Sequence, residues 1–179
     1  MTRYVALLGS INVGGNRLLM TDLREALERE DFEGLETVVA SGNVLFSHDE
    51  RPSEGLSEKF AYVLRERFGI DTFAAVRSRE ELAAAISANP FHGAGEDAFV
   101  HTVFLERQPS REQFDKLVAD HKGRGNEKLA LGDRALYVDF VDGAGNSKLT
   151  ADFIARRRGC RGTARNMRSL KRILDKMDS

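Results

Sequence analysis

The chain has 179 residues, 41% apolar and 31% charged, with a net charge of −1 and a single cysteine, Cys160. That length carries one sizeable core, or two small halves sharing one. The composition excludes an internal disulfide, and no apolar run approaches the ~20 residues that span a bilayer.

Residues 3–8 contain the apolar run Tyr4-Val5-Ala6-Leu7-Leu8, which reads as a buried strand. It starts so early that no signal peptide fits before it, so the expected location is the cytoplasm and no membrane partner is expected. A glycine-rich loop follows over residues 9–16, reading Gly-Ser-Ile-Asn-Val-Gly-Gly-Asn. Leu23, Ala26 and Leu27 then recur at helical spacing and predict a helix over 21–30, with Thr21 as its N-cap. Residues 36–40 and 43–47 are short strand runs, split by Ser41-Gly42, whose small residues suit a hairpin turn. Leu56, Phe60, Val63, Leu64 and Phe68 predict a helix that stops at Gly69. Residues 71–77 form a fourth strand. Ser78 and Glu81 have the spacing of a capping box and open a helix that Pro90 closes.

The remainder begins in the same way. Residues 98–106 read as a strand, and Ser110 with Gln113 forms a second capping box ahead of Phe114, Leu117 and Val118. Strands over 127–131 and 134–141 meet at Gly132-Asp133, and residues 142–146 are a loop. A helix over 148–158 turns Leu149, Phe153 and Ile154 inward, with Ser147 as its cap. A last helix over 166–177 buries Leu170, Ile173, Leu174 and Met177.

The order βαββαβα followed by βαββαα predicts an α+β fold. It consists of tandem ferredoxin-like βαββα halves sharing a core, with mainly antiparallel sheets packed against helices. The halves are 1–92 and 93–179, the second carrying the basic C-terminal helices. In a βαββαβ unit the third strand lies antiparallel between the first and the second. The exit of strand one and the turn between strands two and three then share a sheet edge. The loop at 9–16 and Ser41-Gly42-Asn43 should therefore be neighbours.

Three groups of residues together resemble a bacterial family. They are Ile11-Asn12-Val13-Gly14-Gly15-Asn16, Met20-Thr21-Asp22-Leu23-Arg24 and Ser41-Gly42-Asn43-Val44-Leu45-Phe46. Asn89-Pro90-Phe91, Asp142-Gly143, Ser147-Lys148-Leu149 and Thr163-Ala164-Arg165-Asn166 extend the likeness. The chain is similar to domain-of-unknown-function family 1697. Gly9-Ser10 stands where that family usually has Arg-Gly, and Met167 where it often has Trp. No role resting on that arginine or indole carries over. The resemblance implies paired α+β halves and implies no reaction.

The loop at 9–16 lacks the Gly-Lys-Ser/Thr ending of a phosphate-binding P-loop and the GxGxxG spacing of a dinucleotide site. It still has the composition of a backbone nest, in which successive N–H groups hold a phosphate or carboxylate. The plain alternative is that its glycines supply positive φ while Ile11 and Val13 enter the core. From Lys148 onward ten Lys/Arg face three Asp/Glu, a net +7, which attracts anions or a partner surface. Arg165, Arg168 and Arg172 would form one basic stripe on the last helix, a surface for a nucleic-acid backbone or a solvated helix face. The segment offers no aromatic stacking platform after Phe153.

No catalytic constellation is assigned. Ser147-Lys148 lacks an oxyanion partner. The four histidines have no zinc-ligand spacing, and no metal or cofactor is expected. The preferred reading is binding of an anionic small molecule, a nucleotide or phosphorylated metabolite. The expected ligand-binding residues are Ser10, Asn12, Gly14, Gly15, Asn16, Ser41, Gly42, Asn43, Arg165 and Asn166. Nucleic-acid binding by the C-terminal stripe, or docking of a protein partner, is the alternative.

Overall fold

A computed structural model describes residues 1–9 and 18–179. The chain divides into two compact units, one formed by residues 1–82 with 172–179 and the other by residues 83–171.

The first unit contains β1 (Thr2–Leu8), α1 (Met20–Glu28), β2 (Glu33–Val38), β3 (Ala40–His48), α2 (Ser53–Phe68) and β4 (Ala74–Ser78). Helix α3 (Arg79–Ala88) begins there. The sheet order is β2-β3-β1-β4, and every neighbouring pair is antiparallel. β1 is central and buried from Tyr4 to Leu8 on both faces, so it reads as an unbroken apolar run rather than an alternating one. Tyr4, Ala6 and Leu8 share one face with Val44, Phe46, Ala74 and Val76. Leu23, Leu27, Leu56, Phe60 and Leu64, from α1 and α2, pack on that face. Gly69 ends α2 in the left-handed region at φ 65°, where its lack of Cβ removes the penalty. Ser78 and Glu81 make both bonds of the capping box at 2.9 and 3.1 Å.

The second unit contains β5 (Val100–Leu105), α4 (Arg111–His121), β6 (Lys128–Gly132), β7 (Ala135–Asp139), a 3-10 turn (Ala144–Asn146), α5 (Ala151–Arg158) and β8 (Gly162–Asn166). Helix α6 (Met167–Asp178) follows. The order β6-β7-β5-β8 repeats that of the first sheet, again antiparallel throughout. Val103, Leu105, Leu136 and Val138 meet Phe114, Leu117 and Ile154 in its core. The Ser110–Gln113 capping box is complete.

The fold class follows the expectation, and four local readings are corrected. β8 occupies residues read as loop and helix start, giving the second unit its fourth strand. Thr21 lies inside α1, whose N-cap is Leu19 without a side-chain bond. Thr150, not Ser147, caps α5 by accepting the Phe153 N–H at 3.2 Å. The β2–β3 turn falls at Val39, between the paired Val38 and Ala40, so Ser41 and Gly42 belong to β3.

Val39 has φ 66°. A β-branched residue in this region is strained, at a cost of about 1–2 kcal/mol. Val39→Gly is therefore expected to raise unfolding free energy by about 1 kcal/mol, since glycine's extra chain entropy offsets only part of the relief. Urea unfolding of the two proteins checks this.

Candidate functional site

β1 and β3 pair with Leu7 opposite Asn43. The last residues of β1 therefore lie beside the first residues of β3, at the edge where the β2–β3 turn sits. Gly9 leaves this edge tied on both sides: its N–H donates to the Phe73 carbonyl at 3.2 Å, and its carbonyl accepts from the Thr72 hydroxyl. A Cβ on Gly9 would meet the Phe73 ring at 3.1 Å, so close passage of the chain also explains this glycine.

Asn43 is only 1% exposed, and its Nδ2 donates to the Val38 carbonyl at 3.2 Å, bridging the turn. A buried amide must be satisfied or it costs about 1–3 kcal/mol. It is a polar group fixed at the foot of the loop. Ser41 and Gly42 precede it on the same strand. Ser10, Asn12, Gly14, Gly15 and Asn16 lie outside the described residues.

Arg165 and Asn166 lie on β8 in the second unit, Arg165 opposite Thr102 and Asn166 opposite His101. The sequence reading put Arg165 on the last helix, in one stripe with Arg168 and Arg172. That stripe is not formed, because α6 starts only at Met167 and Arg165 is on the strand before it. The Arg165 guanidinium is half-buried and donates to Thr163 Oγ1 at 2.6 Å and the Ala164 carbonyl at 2.9 Å. Burial lowers its pKa from the ordinary arginine value. Asn166 Oδ1 accepts the Ser169 N–H at 2.8 Å, which caps the start of α6.

Much of the basic C-terminal segment is engaged within its own unit. Arg157 Nε donates to Asp120 Oδ2 at 2.7 Å, and Arg161 Nη2 to Glu106 Oε2 at 2.8 Å. Lys171 Nζ reaches Asp97 Oδ2 at 2.7 Å, and Arg158 Nε the Cys160 carbonyl at 2.7 Å. The Arg157 partnership holds the Asp120 carboxyl below the usual carboxylate range. Part of the charge that looked surplus in the sequence is therefore engaged in ion pairs with acids of the same unit.

His48 and His101 have built environments. His48 is fully buried; its Nδ1 donates to the Asp49 carbonyl at 2.9 Å, so its Nε2 accepts from Lys59 Nζ at 3.0 Å. His101 sits edge-on to Phe140, with ring centres 4.8 Å apart. Burial pushes its imidazole below the ordinary value, against an opposing contribution from the Phe99 carbonyl. Unfolded chain then takes up the proton more readily than folded chain. Stability is full above about pH 6.5 and falls as pH drops toward the folded-state value. The denaturation midpoint should be lower at about pH 5.5 than at about pH 7.5, and His101→Phe should reduce that difference.

Two antiparallel four-stranded sheets of identical strand order, each packed with helices, define an α+β protein built of ferredoxin-like units. The chain belongs to the family described as "Protein of unknown function (DUF1697)", which its residues 1–137 match. The likeness noted at 142–149 and 163–166 lies beyond that range. A conserved bacterial protein from Streptococcus pneumoniae has a similar structure. The TM-score is 0.70 at 21% identity, over 100% of this chain and 99% of that one, and this likeness shows the fold alone. No curated protein matches the chain in sequence. Among the described residues, no helix is long and apolar enough to cross a membrane.

Proposed function

We propose that the protein binds an anionic small molecule, a nucleotide or phosphorylated metabolite, at the loop leaving β1. The observation that supports this most is the pairing of Leu7 with Asn43. It brings the β1 exit and the start of β3 to one edge, so loop N–H groups and the 41–43 backbone can serve one ligand. Ser10, Asn12, Gly14, Gly15 and Asn16 would surround the anion, with Ser41, Gly42 and Asn43 on the strand side. Backbone N–H groups of a glycine nest suit phosphate because they present several donors without a side chain in the way. The reading is confined to the first unit.

A thermal-shift screen of nucleotides and sugar phosphates tests it. A ligand at 100 times its dissociation constant stabilises by about 2.7 kcal/mol. Gly14→Val and Asn43→Ala should each abolish the ligand-induced shift, whatever they do to the unliganded melting temperature. A shift of unchanged size in both variants would rule out this loop as the site.

A further inference from the structure

The second unit contains a polar cleft of about 200 Å³ between the segment after α4 and the one joining β7 to α5. Its charged lining residues are Arg124, Glu127, Asp142 and Lys148, two of each sign. The Glu127 side chain is 9% exposed and accepts no hydrogen bond from any described residue. Its ion-pair neighbour is His121, whose Nε2 lies at 3.8 Å, beyond hydrogen-bond reach. His121 itself is 6% exposed, and neither ring nitrogen has a partner.

This is an unusual pairing. Buried polar groups are nearly always satisfied, and a carboxylate with little access to water gains from an added donor. Glycine at 125 keeps the spot open, because a Cβ there would collide with the Glu127 carboxylate oxygens. Glu127 is thus a half-buried acceptor held against the cleft wall, close to His121 but with no hydrogen bond from it.

The cations are arranged differently. The Lys148 ammonium is exposed and makes no hydrogen bond or ion pair among the described residues. Arg124 lies over the Phe153 ring, 4.4 Å from its centre, and donates to the Lys148 carbonyl at 3.4 Å. Stacking on one face fixes a guanidinium while leaving other N–H edges for an anion. Two acids and two bases in one cleft balance, so neither a simple anion nor a simple cation is neutralised by the lining as a whole.

From this geometry we infer that the cleft binds a small zwitterion of the free amino-acid class. The ligand's ammonium group donates to Glu127 and completes its hydrogen bonding. Its carboxylate lies against Lys148 and Arg124, and Asp142 is left to contact a polar side chain. The volume is below the roughly 300–1,000 Å³ of sites for drug-sized molecules, which suits a ligand of this size. The site is independent of the loop after β1.

The test is a titration of ¹⁵N-labelled full-length protein with each free L-amino acid, and with methylamine and acetate as single-charge controls. At least one amino acid should move the Gly125, Gly143 and Lys148 amide resonances saturably, and the controls at equal concentration should bind at least tenfold more weakly. Glu127→Gln, nearly isosteric, and Lys148→Met, at an exposed position, should each weaken binding tenfold or more with the rest of the spectrum unchanged. No saturable shift with any amino acid, equal binding of acetate or methylamine, or unchanged affinity in both variants would overturn the proposal. Shifts at Gly9 and Gly42 would report the other site, so the two readings fail separately.

Discussion

Phe46→Ala is expected to lower unfolding free energy by about 3–5 kcal/mol, the range for removing a fully buried aromatic ring. Phe46 sits on β3 at the centre of an aromatic cluster. Its ring centre is 4.9 Å from that of Phe32, 5.6 Å from Tyr4 and 5.8 Å from Phe60. All four are fully buried. The rings come from β1, the segment before β2, β3 and α2, so one truncation loosens contacts between sheet and helix together. Neighbouring side chains are themselves large and held in place, so they collapse poorly into the space. Chemical denaturation gives the value. Tyr62→Ala on the exposed side of α2 is the control, with a change within about 0.5 kcal/mol.

Gly132→Ala is the second large effect, a loss of about 1–3 kcal/mol from overpacking. Gly132 is the last residue of β6, opposite Ala135 across a two-residue turn. Tyr137 pairs with Ala130, two residues earlier on the same face, and its ring lies diagonally over Gly132. A Cβ at 132 would meet three atoms of that ring, the closest at 2.6 Å. Tyr137 is buried and part of the central pair of strands, so it cannot step aside cheaply. Burial raises its phenol pKa, with Asp133 adding to the effect. Once the ring is displaced, the phenol should titrate nearer its ordinary value of about 10. Absorbance titration of both proteins measures that change, and denaturant unfolding measures the stability loss.

Elements with a strong period were legible in the sequence. The 3.6-residue spacing from Leu56 to Leu64 and the two capping boxes placed α2, α3 and α4 because local chemistry and tertiary packing agree there. β8 was missed because Gly-Thr-Ala-Arg-Asn carries no alternation of apolar side chains. It is a strand because the free edge of β5 takes up its backbone groups, a non-local cause. The β2–β3 turn was misplaced for a related reason. Ser41-Gly42 has turn chemistry, yet both residues belong to β3, where the ladder with β2 shifts register, and the reversal falls at Val39.

The candidate site was legible in part. Element order predicted that the β1 exit and Asn43 would share an edge, because a ferredoxin-like unit sets strand three antiparallel between strands one and two. Burial of Asn43 and its bond to Val38 could not be read, since neither residue signals the turn between them. The cleft around Glu127 was equally hidden: Glu127 and Lys148 are brought together by segments at separate points of the chain, with no spacing to mark them.

The central claim is that the loop after β1 and the start of β3 form one anion site. Titration of ¹⁵N-labelled protein with nucleotides and sugar phosphates tests it most directly. The prediction is that a binding member moves the Gly14, Gly15 and Gly42 amides and the Asn43 side-chain amide together, with one saturation curve. Saturable binding that leaves those four resonances in place, or no saturable binding by any phosphate compound, would contradict it.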